Sequence, residues 1–142
     1  MSEHAHQCAI VAWSRLPAVK AQYPGIELLH SSLNGVKLTK GQAGKAKAAG
    51  MLSGVPDLLL PVRRGPYAGL AIEMKYGRNK PTDEQEWFLG RLREEGWRTE
   101  VCYDWIAARN VIIEFLSQQD LFADGGLCRG CGGAKTEPNA VK

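Results

Sequence analysis

Two carboxylates and an amine, Asp57, Glu73 and Lys75, stand at spacings that suit metal-assisted hydrolysis of a phosphodiester. Pro56-Asp57 opens one apolar run, Glu73-Met74-Lys75 closes the next, and a turn near Gly65-Pro66 joins them. Side chains alternate along a strand, so Glu73 and Lys75 share a face while Met74 points into the opposite layer. If the two runs pair antiparallel through that turn, position 57 falls opposite position 73 and the three groups converge. Two carboxylates held close repel unless a cation lies between them, and hard oxygen ligands suit Mg²⁺ or Mn²⁺. Such a cation polarises a phosphoryl oxygen and lowers the pKa of a bound water. A lysine beside it orients that water or stabilises the developing charge. The competing reading is an ion-pair cluster at strand ends, which would contribute little. The chain has no Walker loop, no Gly-x-Ser-x-Gly elbow and no His-Glu-x-x-His.

The elements that must position these groups read as follows. Ser2 is a plausible N-cap, and Ala5, Cys8, Ala9, Ala12, Trp13 and Leu16 recur at helical steps, predicting an amphipathic helix to about Pro17. Pro24-Gly25 stops it, residues 26–30 form a short strand, and residues 31–35 carry turn chemistry. Residues 36–54 read as a basic loop with a weak helix near 43–52. Strands follow over 55–62 and 69–75. Thr82 and Gln85 match a capping box that opens a helix closed by Gly96, then comes a strand over 97–103 and a helix capped by Asp104. This order predicts an α/β sandwich with a mixed sheet of about four strands. Residues 1–118 form one domain in this reading, and 119–142 a Gly-rich tail.

The chain has 142 residues, 44% hydrophobic and 23% charged, as expected of one globular domain. No run reaches the roughly 18 apolar residues of a membrane span, and the N-terminus lacks the pattern of an export signal, so a cytoplasmic protein is expected. Its net charge of +3 is unevenly spread. Between residues 30 and 80, Lys37, Lys40, Lys45, Lys47, Arg63, Arg64, Lys75, Arg78 and Lys80 face only Asp57 and Glu73, a local balance of +7. A segment this basic suggests a polyanionic partner, since lysine and arginine that neutralise phosphates release counterions. All of these except Lys75 are candidate DNA contacts; a solvated basic loop is the plainer alternative.

In a chain without an export signal, the cysteines argue for reduced thiols or metal ligands. Cys128 and Cys131 have the knuckle form of a zinc ribbon but make half a site, the rest of which would come from Cys8, Cys102, a histidine or a second chain. The alternative is a tail with two free thiols. Trp13, Trp87 and Trp97 are expected in the core, and no role is expected for His4 or His6.

Residues 54–60 (Gly-Val-Pro-Asp-Leu-Leu-Leu), residues 69–75 (Gly-Leu-Ala-Ile-Glu-Met-Lys), Gln85 on the next helix and the Gly96-Trp97 turn together resemble the VRR-NUC branch of the PD-(D/E)XK nucleases. Glu3 and Gln7 match the Glu-x-x-x-Gln pair on that family's first helix, and Leu33-Asn34-Gly35 its turn. The resemblance spans about residues 2–117. It implies a restriction-endonuclease-like fold in which Asp57, Glu73 and the Met74 carbonyl bind the divalent metal, and Lys75 positions the attacking water. Glu3 would approach the metal directly or through water, and Gln85 would line the cleft. Simpler readings are a first-turn acid for Glu3 and a cap for Gln85. Small stand-alone relatives of phage or bacterial type imply a phage- or bacterially encoded homodimer acting on branched DNA such as four-way junctions. The alternatives are a non-catalytic DNA-binding module and a nuclease or nickase of linear duplex.

Overall fold

The computed structural model describes residues 1–121. Helices α1 (Glu3–Ser14) and α2 (Pro17–Gln22) lead through a short 3-10 turn, Ile26–Leu28, to strand β1 (His30–Ser31). Helix α3 (Lys40–Ala48), strands β2 (Leu58–Leu60) and β3 (Leu70–Met74), helix α4 (Asp83–Glu94), strand β4 (Arg98–Cys102) and helix α5 (Trp105–Leu116) follow. The sheet order is β1-β2-β3-β4; β1, β2 and β3 pair antiparallel, and β4 joins β3 in parallel after the α4 crossover. The expected mixed α/β sheet of four strands is present.

Every residue of β3 is buried. Leu70, Ile72 and Met74 enter one core with Leu58 and Leu60 of β2, Ile10 of α1, and Ile112 and Phe115 of α5. Alternation sends Ala71 and Glu73 to the other face of the strand. Burial of this apolar surface, at about 25 cal/mol per Å², is what holds a charged residue such as Glu73 at a fixed place in the sheet.

Several local expectations shift. The first helix ends at Ser14, and Pro17 starts a separate one as its first residue, where its missing N–H costs nothing. The expected apolar stripe is also turned: Cys8, Ala12 and Leu16 are exposed, while Ile10 and Ser14 are buried in line with Glu3 and Gln7. The predicted strand at 26–30 is mostly a 3-10 turn, because Gly25 adopts φ +100 and its N–H donates to Glu27 Oε2 at 2.8 Å. Helix α3 begins earlier than predicted because Thr39 and Gln42 form a full capping box, a start signal that the neighbouring glycines and lysines obscure. The 55–62 strand shortens to three residues.

Gly54 pins the entry to β2. Its φ is +83, and a Cβ there would stand 2.6 Å from the Glu84 carbonyl oxygen in the first turn of α4. Gly54→Ala is therefore expected to cost about 1–3 kcal/mol through strain and overpacking. Equilibrium urea unfolding would show it as a lower midpoint, and an unchanged midpoint would mean the approach of loop and helix is not tight.

Candidate active site

Leu58 pairs with Ile72, so the next pair outward in the ladder is Asp57 and Glu73, as counting from the turn predicts. Asp57 Oδ2 accepts a hydrogen bond from the Met74 N–H at 2.8 Å, which ties the carboxylate to the end of β3. Lys75 is 8% exposed, and its Nζ lies 3.0 Å from Glu73 Oε1. Its backbone N–H donates to the Cys102 carbonyl at 2.9 Å, so the parallel partner strand fixes where it starts. The three groups therefore converge at one end of β2 and β3.

Glu73 is 1% exposed, and neither of its carboxylate oxygens has a hydrogen-bond partner of good geometry. Lys75 is near enough to pair with it by charge but not aligned to donate well. Burial, reinforced by the charge of Asp57, pushes the Glu73 carboxyl up to about 7 despite Lys75. Burial also raises Asp57, against the Met74 N–H and Lys75, which hold it down. Two mutually repelling carboxylates, the buried one without a hydrogen bond to either oxygen, are a poor arrangement for stability alone and a suitable one for a hard divalent cation. Donors of this type fit Mg²⁺ or Mn²⁺.

Glu3 and Asp57 line the same cleft of about 510 Å³, together with Gln7 and Lys37. Glu3 is the weakest of the charges raising Glu73, and among the described residues no three His, Cys, Asp or Glu side chains gather closely enough to hold a metal by themselves. Gln7 Nε2 donates to Ser31 Oγ at 3.0 Å, joining α1 to β1 across the floor of the cleft. Gln85 sits elsewhere. Its Oε1 accepts from the Thr82 N–H at 2.8 Å in a complete capping box, and it lines an adjoining groove of about 390 Å³ with Asn34 and Lys47. Val36 borders both hollows, so they meet at the 33–37 turn. Asn34 Nδ2 donates to the Val55 carbonyl at 3.0 Å and holds that turn over the strand entry, a bond that turn composition alone does not reveal.

The basic residues divide. Lys37, Lys40, Lys45 and Lys47 are exposed on the turn and α3 beside the two hollows, and Arg78 and Lys80 are exposed on the loop after Lys75. Arg63 and Arg64 lie at the opposite end of β2, near the Gly65 turn, about 20 Å along the chain from Asp57 at 3.3 Å per residue. The Arg64 guanidinium donates to the Pro24 carbonyl at 2.9 Å and to the Arg63 carbonyl at 2.7 Å, so it braces the fold. Both were expected with the DNA contacts, and the strand's direction carries them away from the site.

Two other expectations are corrected. Trp87 is not in the core but 65% exposed on α4, beside exposed Leu52, because the helix buries Leu89 instead; Trp13 packs at the core edge as expected. His6 is not idle: its Nδ1 accepts from the Trp105 N–H at 3.3 Å and joins α1 to the start of α5. Cys102 is buried, and burial pushes its thiol up to about 12. Cys128 and Cys131 lie outside the described residues. Among the described residues, no helix is long and apolar enough to cross a membrane.

The family model for the VRR-NUC domain matches residues 2–105. Among solved structures, a VRR_NUC domain protein is similar at a TM-score of 0.68 and 27% identity, over 84% of this chain and 92% of that one. No curated protein matches the chain.

Proposed function

The chain belongs to the VRR-NUC domain family and carries a nuclease-type domain, and on that premise we propose that it is a divalent-metal-dependent endonuclease acting on branched DNA as a homodimer. The observation that carries the reading is Glu73, buried at 1% exposure with neither carboxylate oxygen accepting a hydrogen bond, opposite Asp57 and ion-paired with Lys75 at 3.0 Å. Asp57, Glu73 and the Met74 carbonyl would hold Mg²⁺ or Mn²⁺, which supplies Lewis-acid activation of a phosphoryl oxygen and of water. The Met74 N–H holds Asp57 Oδ2 and fixes that carboxylate at the end of β3. Lys75 orients the attacking water and stabilises charge developing on the phosphate. Glu3, across the cleft, acts on the site through water, and Gln85 keeps the α4 turn in place at the cleft edge.

Lys37 and the α3 lysines Lys40, Lys45 and Lys47, with Arg78 and Lys80, bind phosphates along the two hollows. Replacing Lys40, Lys45 and Lys47 by Gln together is expected to weaken DNA binding equally for all sequences. The slope of log K against log salt should fall by about 0.9 for each phosphate no longer neutralised. An unchanged slope in a fluorescence anisotropy titration would remove α3 from the interface.

One chain offers one site, so symmetric cutting of a four-way junction needs two copies about a twofold axis. The test is cleavage of labelled junction, flap and linear duplex at one fixed salt, with Mg²⁺, Mn²⁺ or EDTA, alongside sedimentation with DNA present. Junction-selective, metal-dependent cutting by a dimer is the expected result. Binding without cutting under either metal would instead make the chain a non-catalytic DNA module, and equal cutting of linear duplex would remove the branched substrate.

A further inference from the structure

We propose that Trp87, with Leu52 and Phe88, is a stacking platform for one unpaired base of the DNA, so that the chain prefers DNA carrying a single-stranded branch; the inference rests on the DNA-binding reading above. Trp87 is 65% exposed on α4 and borders an apolar hollow of about 250 Å³, walled by Leu52, Phe88 and Leu92 and edged by Arg91 and Glu95. Phe88 stands edge-on to the indole, with ring centres 6.1 Å apart and planes at 80°, and so supports that ring from one side. An indole held in this way offers a π-face to solvent. Stacking on an aromatic ring accepts any base, because every base has such a face.

Position, charge and size all favour a base. Leu52 lines both this hollow and the groove that contains Lys47, and Val36 joins that groove to the cleft of Glu3 and Asp57. A strand that leaves the cleft along the α3 lysines therefore reaches Trp87. Around the indole the charges turn acidic: Asp83, Glu84 and Glu86 occupy the first turn of α4, and Arg91 is paired with Glu94 and, at 3.5 Å, with Glu95. Acids so placed repel a phosphate but not a neutral base whose own phosphates lie on the lysine side. A stable contact between protein copies takes roughly 800 Å² and 20–30 residues from each partner. Six side chains line this hollow, which suits one flat ring better than a protein surface. Bases inside a duplex are stacked on one another, so only an unpaired or extruded base can turn onto the indole.

The test is fluorescence anisotropy in EDTA at one fixed salt with three labelled probes: linear duplex, the same duplex with a single-stranded arm, and that arm made abasic. Wild type is expected to bind the intact arm about 5–150-fold more tightly than the abasic one, the worth of one stacked base. Trp87→Ala should lose this margin and bind linear duplex as wild type does, while Trp87→Phe keeps part of it. The salt dependence of binding should be the same in all three proteins, because no phosphate contact is removed. Trp87 is an exposed side chain, and circular dichroism checks that both variants fold. Duplex binding with no margin in the wild type, or a margin that survives Trp87→Ala, would overturn the platform and leave the DNA-binding reading standing. Equal weakening of all three probes by Trp87→Ala would also overturn it, as would a dimer that this variant turns into a monomer in sedimentation, which would make the patch a contact between copies. Wild type that binds none of the probes would remove the DNA-binding reading, and the platform with it.

Discussion

Glu73→Gln is expected to abolish metal-dependent DNA cleavage, by at least about 10³-fold, while making the metal-free protein more stable near pH 8. The loss follows because several kcal/mol of transition-state stabilisation depends on a cation that a neutral amide cannot hold. The gain follows from linkage. The Glu73 carboxyl is raised from 4.5 to about 7 in the folded protein, chiefly by burial and then by Asp57. A group raised on folding contributes stability that is full below its unfolded pKa and is lost as pH rises through the folded one. Wild type in EDTA should therefore lose up to about 3 kcal/mol between pH 4.5 and pH 8 through this residue. The variant should show no such decline, so the two curves meet at acid pH and part above neutrality. Urea unfolding across pH, with and without Mg²⁺, measures this, and Mg²⁺ should stabilise only the wild type. Cleavage by the variant within tenfold of wild type would end the catalytic reading of Glu73.

Lys75→Met is the opposite case and separates catalysis from a mere ion pair. If Lys75 orients the attacking water, cleavage falls by about 10²–10⁴-fold at saturating metal and DNA, with binding little changed. Lys75 is itself 8% exposed, and its removal leaves Glu73 buried without the charge that holds its carboxyl down, so that pKa rises further. Breaking a buried pair from one side costs about 3–5 kcal/mol. That cost should shrink as pH falls and Glu73 takes a proton. A buried ion pair with no further role predicts the same stability cost and no change in cleavage beyond it. Single-turnover rates, taken where unfolding midpoints show the variant folded, distinguish the two.

The sequence by itself determined the parts of this protein that depend on local chemistry and period. The Thr82–Gln85 and Asp104 caps, the Gly96 terminus of α4 and the apolar runs of β2 and β3 are all where composition and spacing put them, since a cap or an alternating strand needs only neighbours in the chain. Even the pairing of position 57 with 73 was countable, because a short connection leaves few registers. What needed the tertiary structure was everything set by partners distant in sequence. The exposed stripe of α1 is Cys8 and Ala12 rather than the reverse, because Ile10 and Ser14 meet the sheet and α5. Trp87 faces solvent because Leu89 fills the contact with β4, and Arg64 is spent on Pro24 at the far end of the strand. The raised carboxyl of Glu73 belongs to this second group. A glutamate in an apolar run could face either layer, and only packing on every side of β3 leaves its oxygens buried, without a hydrogen bond and opposed to Asp57, where burial costs a charge far more than any local sequence effect.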